Sequence, residues 1–132
     1  LEDWLDLFAD DCSYRVVPRE NFDLGLPQPL ILAENKAMLT DRIVAYRNAN
    51  IYNIHRDRHV VGTALARKSE SNRWSLAASF ALFQTDSEGR TALFLAGAYR
   101  ATASFEAAGP RLRDMLGLLD TAAIPTLLAT PV

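Results

Sequence analysis

From His59 onward the apolar residues of this chain recur at every second position. Before His59 they recur at every third or fourth. That change of period constrains the fold more than any other feature, because a period of two belongs to strands and 3.6 to helices. Three long strand signals follow, at about 59–68, 73–86 and 91–106. In the second, Trp74, Leu76, Ala78, Phe80 and Leu82 share one face, and Ser75, Ala77, Ser79 and Ala81 the other. In the third, Leu93, Leu95, Gly97, Tyr99, Ala101 and Ala103 lie opposite Phe94, Ala96, Ala98, Arg100, Thr102 and Ser104. Asn72 sits in the first turn, and Ser87-Glu88-Gly89-Arg90 reads as a four-residue hairpin loop. A break at Gly109-Pro110 precedes a fourth strand, about 111–119. The Asp120–Pro125 turn then leads into a short edge strand.

The first half is read differently. Trp4, Leu5, Phe8 and Ala9 stand at helical spacing over residues 1–9, with Asp10-Asp11 as the helix end. Ser13 to Val17 is a strand stopped by Pro18. Pro18, Gly25, Pro27 and Pro29 make residues 18–29 an irregular arm, and Leu30–Ala33 a short strand. A helix is predicted from about Glu34 to Arg47. Met38, Leu39, Ile43, Val44 and Tyr46 form its apolar side, with Asp41, Arg42 and Arg47 on its wet side. Asn48, Asn50 and Asn53 mark an irregular connection.

Helices first and a long meander later make an α+β domain. Long strands rich in Ala and Gly curl readily. The expected form is a cone-shaped roll: a strongly curved mixed or antiparallel sheet with the N-terminal helices packed on its concave side. At 132 residues one domain spanning 1–132 is expected. The chain opens on Leu1 inside a helical pattern, so further residues are expected to precede it.

Composition excludes several functions. Net charge is −2 with both signs scattered, so no basic stripe gathers phosphates and nucleic acid is not an expected partner. No apolar run reaches the roughly 18–20 residues needed to cross a bilayer, and cytoplasm is the default location. The single cysteine, Cys12, has no disulfide partner in the chain and reads as a small apolar strand residue. One cysteine and two histidines cannot build a Rieske cluster, which needs two of each. His55, Asp57 and His59 have the composition of a non-haem iron triad and would point the same way on a strand. The arginines between them oppose a cation, so no metal is expected here.

Four segments carry a family resemblance: Trp4–Tyr14; Met38-Leu39-Thr40-Asp41-Arg42-Ile43; His55-Arg56-Asp57-Arg58-His59-Val60-Val61; and Ile124–Val132. A Leu-x-Asp-Arg helix leading into an Arg-x-x-His loop, with a late Leu-Asp-Thr turn, resembles the small (beta) subunits of aromatic-ring-hydroxylating dioxygenases. The order holds along nearly the whole chain, departing at residues 18–33 and at 106–113, which lack a tryptophan-bearing turn. The resemblance implies a nuclear-transport-factor-2-like cone. It also implies an assembly of three large (alpha) and three small subunits, the small ones forming a trimer. The Rieske iron–sulfur cluster and a mononuclear iron would lie in the large subunit, with no cofactor and no catalytic residue in this chain.

On that reading Arg47, Arg56, Arg58, His59 and Arg100 are interface candidates, as are Arg111 and Arg113, with Arg56 and Arg58 facing a neighbouring subunit's carboxylate. Trp4, Tyr52 and Trp74 are candidate anchors. The alternative is a small stand-alone enzyme of the polyketide-cyclase or dehydratase kind, with acid–base chemistry inside the cone. Its pocket candidates are Asp10 (or Asp11), Tyr14, Tyr46, His59 and Tyr99.

Overall fold

The computed structural model describes residues 1–132 except 27, 50, 52, 53, 70, 71 and 122. The elements run α1 (Glu2–Leu5), β1 (Phe8–Pro18), α2 (Arg19–Asp23), β2 (Ile31–Ala33), α3 (Lys36–Asn48), β3 (His55–Val61), β4 (Leu65–Lys68), β5 (Arg73–Asp86), β6 (Thr91–Glu106) and β7 (Gly109–Leu119). Among the described residues the strands form one curved sheet in the order β2-β1-β7-β6-β5-β3, with β4 on the same edge of β5 as β3. The sheet is mixed. β1 runs parallel to β7, and every other pairing is antiparallel. The α+β reading holds, with one parallel seam joining the first long strand to the last.

Several elements depart from the sequence reading, each for a local reason. The opening helix stops at Leu5, because Phe8 and Ala9 are buried as the start of β1. A helix this short has little stability of its own, and pairing against β7 decides the outcome. Asp10 and Asp11 therefore do not end a helix. They sit in β1 where its register against β7 shifts between Phe8 and Ser13, and both are exposed. The arm after Pro18 contains a turn of helix, α2, that starts from extended Pro18 (φ −60°, ψ 141°). Gly25 at φ +66° follows its last turn, a conformation that costs glycine little.

The strand expected at 59–68 starts earlier, at His55, and is interrupted at residues 62–64, giving β3 and β4. The break expected at Gly109-Pro110 falls inside β7, and the chain turns instead at residues 107–108. No strand follows β7 among the described residues. The last stretch crosses the inner face of the sheet, where Ala129 and Val132 are buried and Ile124 and Leu128 pack against the core.

The core lies between that inner face and α3. Asn35 caps α3 by accepting the Met38 amide at 3.0 Å. The helix buries only a narrow stripe, Leu39 and Ile43, while Met38 and Val44 remain exposed. Arg42 was expected on the wet side. It is part-buried and donates to the Leu128 carbonyl at 3.0 Å, holding the C-terminal stretch against the helix. Alternation along β5 follows the expected parity, with Phe80 and Leu82 innermost. In β6 a register shift opposite Leu82 and Phe83 buries Phe94 beside Leu95, so the parity expected at 93–94 fails there. A Cβ at Gly97 would fall on the Leu118 carbonyl oxygen and within 3.1 Å of the Phe80 ring. The missing side chain lets the strands close up and the Phe80 and Tyr99 rings stack at 4.2 Å.

α1 and α3 sit on the inner side, as expected. α2 lies on the opposite face, where Phe22, Gly25 and Leu26 border a hollow with Arg15, Val17 and Leu116.

Candidate functional site

β3 is the strand on which the site reading turns. Its inward positions are His55, Asp57, His59 and Val61, and its outward positions Arg56, Arg58 and Val60. This follows from the pairing of His59 with buried Leu82 and of Arg58 with Phe83. The sequence reading of 55, 57 and 59 on one face is correct.

His59 stands at the mouth of a cavity of about 390 Å³ whose walls also include Trp4, Tyr99, Met115 and Val132. The walls are mostly apolar. Desolvation lowers the His59 pKa below its usual 6.5, only partly opposed by the Asp57 charge. Burial pushes the Tyr99 phenol up to about 12. Of the five pocket candidates, the fold brings these two to one cavity. Tyr14 is fully buried, and burial raises its pKa above the ordinary tyrosine range. Its hydroxyl donates to the Val132 carbonyl and accepts the Val132 amide, both at 2.9 Å. Tyr46 is half-buried on α3 and does not line the cavity. Asp10 borders a separate pocket with Asp11, Lys36 and Arg113.

Asp57 is committed elsewhere. Its Oδ2 accepts the Thr130 hydroxyl at 2.7 Å, its Oδ1 accepts the Gln84 amide at 3.2 Å, and His55 Nε2 lies 3.5 Å from Oδ2. The His55 and Asp57 side chains are only 8% and 12% exposed. This cluster fastens the C-terminal stretch to the sheet edge. Asp57 was read from sequence only as a conceivable metal ligand, because its partner lies 73 residues further on. Among the described residues no group of three or more His, Cys, Asp or Glu side chains is placed to hold a metal ion. Cys12 is fully buried, which raises its thiol pKa.

The interface candidates are spread over the surface. Arg47 pairs with Glu2 at 2.8 Å, tying α3 to α1. Arg113 pairs with Asp11 and, at 2.6 Å, with Glu106, while Arg111 reaches the Pro110 carbonyl at 3.0 Å. Trp4 packs edge-on against Phe8 and Tyr14 inside the chain, with centroids at 4.8 and 5.4 Å. Trp74 meets Phe105 at 6.0 Å, and Tyr52 lies outside the described residues. Arg56 and Arg58 are exposed on the outer face. Arg100 is exposed on the same face, its guanidinium 5.3 Å from the centre of the Phe22 ring.

That outer face also holds a groove of about 510 Å³ which the sequence reading missed. Arg15 from β1, Arg67 from β4 and Arg100 from β6 surround it. The signal was present in strand parity, but it could be used only once β1 was known to lie beside β7.

The curved sheet, with an inner cavity partly walled by Pro131 and Val132 and a broad outer face, has relatives among known proteins. No family model matches the chain. It is 36% identical over 132 residues to the anthranilate 1,2-dioxygenase small subunit of Burkholderia cepacia, spanning all of this chain and 82% of that one. It is 33% identical to the beta 2 subunit of the terminal oxygenase component of terephthalate 1,2-dioxygenase from Comamonas sp, again over its full length and 86% of the relative. Among solved structures, the beta subunit of a proposed aromatic-ring-hydroxylating dioxygenase from Novosphingobium aromaticivorans superposes with a TM-score of 0.88 at 41% identity. That match covers 99% of this chain and 83% of the other. A nuclear-transport-factor-2-like protein with a cystatin-like fold from the same organism shares the fold alone, with a TM-score of 0.62 at 19% identity over 92% of this chain and 70% of that one. This chain belongs to the small (beta) subunits of aromatic-ring-hydroxylating dioxygenases.

No helix among the described residues is long and apolar enough to cross a membrane.

Proposed function

We propose that this chain is a non-catalytic assembly subunit of a terminal oxygenase that dihydroxylates an aromatic compound, the chemistry being done by a large subunit. The large subunit would carry the Rieske cluster and the mononuclear iron. Neither fits here, since one buried cysteine and two histidines on a single strand cannot ligate a Rieske cluster and Asp57 is engaged by Thr130 and Gln84. The small subunits would self-associate as a trimer within a three-plus-three hexamer, in the cytoplasm. Arg56, Arg58 and Arg100 on the outer face are the proposed contacts with the large subunit, with Arg47 on α3 and His59 on the inward side of β3 as further proposed contacts.

The observation that carries this reading is the pair of hydrogen bonds between the Tyr14 hydroxyl and the Val132 backbone. In a cone enzyme a buried tyrosine is a natural proton donor to a substrate. Here both capacities of that hydroxyl are taken by the chain's own backbone.

One observation favours the rival reading of a small acid–base enzyme: His59 and Tyr99 line one cavity. Among the described residues no Asp or Glu lines that cavity with them. The deciding experiment co-expresses the chain with its large subunit and measures complex mass and ring dihydroxylation, beside the chain alone with phenolic and polyketide-like substrates. Hydroxylation only by the complex supports the assembly role. Turnover by the isolated chain, abolished in Tyr99→Phe, overturns it.

A further inference from the structure

We infer that the outer-face groove bounded by Arg15, Arg67 and Arg100 is the docking site for an acidic segment of the large subunit, an inference that rests on the assembly role proposed above. The three arginines come from three strands and line one trench because registry places them on one face. Arg15 pairs with Leu116, Leu116 with Arg100, Arg100 with Ala77, and Ala77 with Leu65, two residues before Arg67. The floor between them is apolar, supplied by Leu65, Ala77 and Leu116.

Among the described residues the three arginines of the groove outnumber its one acid, Asp114. Among the described residues none of the three arginines is in an ion pair, and the one acid lining the groove, Asp114, accepts the Thr102 hydroxyl at 2.7 Å. A chain of net charge −2 thus gathers three cations against a single carboxylate in one hollow. Guanidinium forks match carboxylates in paired hydrogen bonds, and the apolar floor suits a side chain between them. The groove fits a short stretch carrying two or three Asp or Glu residues around an apolar one.

A second copy of this chain fits poorly by twofold symmetry. A twofold pairing of groove on groove would bring three arginines from each copy together, which is repulsive. A head-to-tail contact is the competing outcome of the test, since exposed acids such as Asp3, Asp10, Asp23 and Asp41 are in no ion pair among the described residues. Charge complementarity and the assembly role favour an acidic stretch of the large subunit as the occupant.

The test uses the full chain co-expressed with the Rieske large subunit, and two sets of variants. Arg67→Glu with Arg100→Glu is expected to weaken capture of the large subunit at least ten-fold. Thermal unfolding of the isolated chain should shift only by the small loss of the Arg100–Phe22 contact, and its self-association should be unchanged. Arg67→Lys keeps the charge and introduces an amine, so a carbodiimide should couple it to an Asp or Glu of the large subunit, found by peptide mapping. Coupling to a second copy of this chain, or unchanged capture by the double variant, overturns the inference while leaving the assembly role standing. Failure of the unsubstituted chain to bind the large subunit overturns both.

Discussion

The Tyr14 hydroxyl makes both of its hydrogen bonds to one residue, donating to the carbonyl of Val132 and accepting its amide, each at 2.9 Å. The two residues lie 118 positions apart, yet this contact closes the inner side of the sheet. Tyr14→Phe leaves a buried amide and carbonyl without partners, and stability is expected to fall by about 1–3 kcal/mol. Denaturant unfolding measures the loss. Faster proteolysis within residues 124–132 would show that it lies in the C-terminal stretch.

Thr130 and Asp57 make the second fastening of that stretch, at 2.7 Å. Thr130→Val keeps the shape and removes the hydroxyl. A cost of about 1–3 kcal/mol is expected for a hydrogen bond to a carboxylate. Combined with Tyr14→Phe the effects should fall short of their sum, since losing either fastening already loosens the one segment both hold. Strict additivity in a double-mutant cycle would count against a shared role.

Gly97→Ala tests the close approach of β6 to β7. The new methyl meets a backbone oxygen that cannot turn away. The cost is expected at or beyond the upper end of the ~1–3 kcal/mol typical of overpacking. Gly89→Ala meets nothing within 4 Å and loses only the favourable positive φ of 81°. It should cost about 1–2 kcal/mol, the penalty for placing an L-residue in the left-handed region.

His59 predicts a pH dependence. Its pKa in the fold lies below the unfolded value of 6.5, so the unfolded chain takes up a proton first as pH falls. The contribution is complete above pH 6.5 and is lost as pH drops through the folded value. Stability of the wild type should decline across that window, and His59→Gln should flatten the decline. A profile unchanged by the substitution would show that desolvation at the cavity mouth has no energetic weight.

Arg58→Ala addresses the outer face. Arg58 is exposed and in no ion pair among the described residues, so the isolated fold should change by less than about 0.5 kcal/mol. Assembly with the large subunit should weaken measurably in native mass or sedimentation. Full assembly of Arg58→Ala would remove it from the contact set.

The residues alone disclosed the long strands, the inner set Trp74 to Leu82, the common side of His55, Asp57 and His59, and the helix of Leu39 and Ile43. Such patterns are local: side chains alternate along a strand whatever it pairs with. Other features depended on which segments met. The parallel seam of β1 and β7 cut the first helix to Leu5, because Phe8 and Ala9 gained more from a partner strand than from another helical turn. The C-terminal stretch became a plug rather than an edge strand through Tyr14, Arg42 and Asp57, none of which is near it in sequence. Arg15, Arg67 and Arg100 share a groove only because strands distant in the chain lie side by side. Period and parity are properties of neighbouring residues, whereas a cavity, a fastening and a charge cluster exist only between segments that folding has brought together.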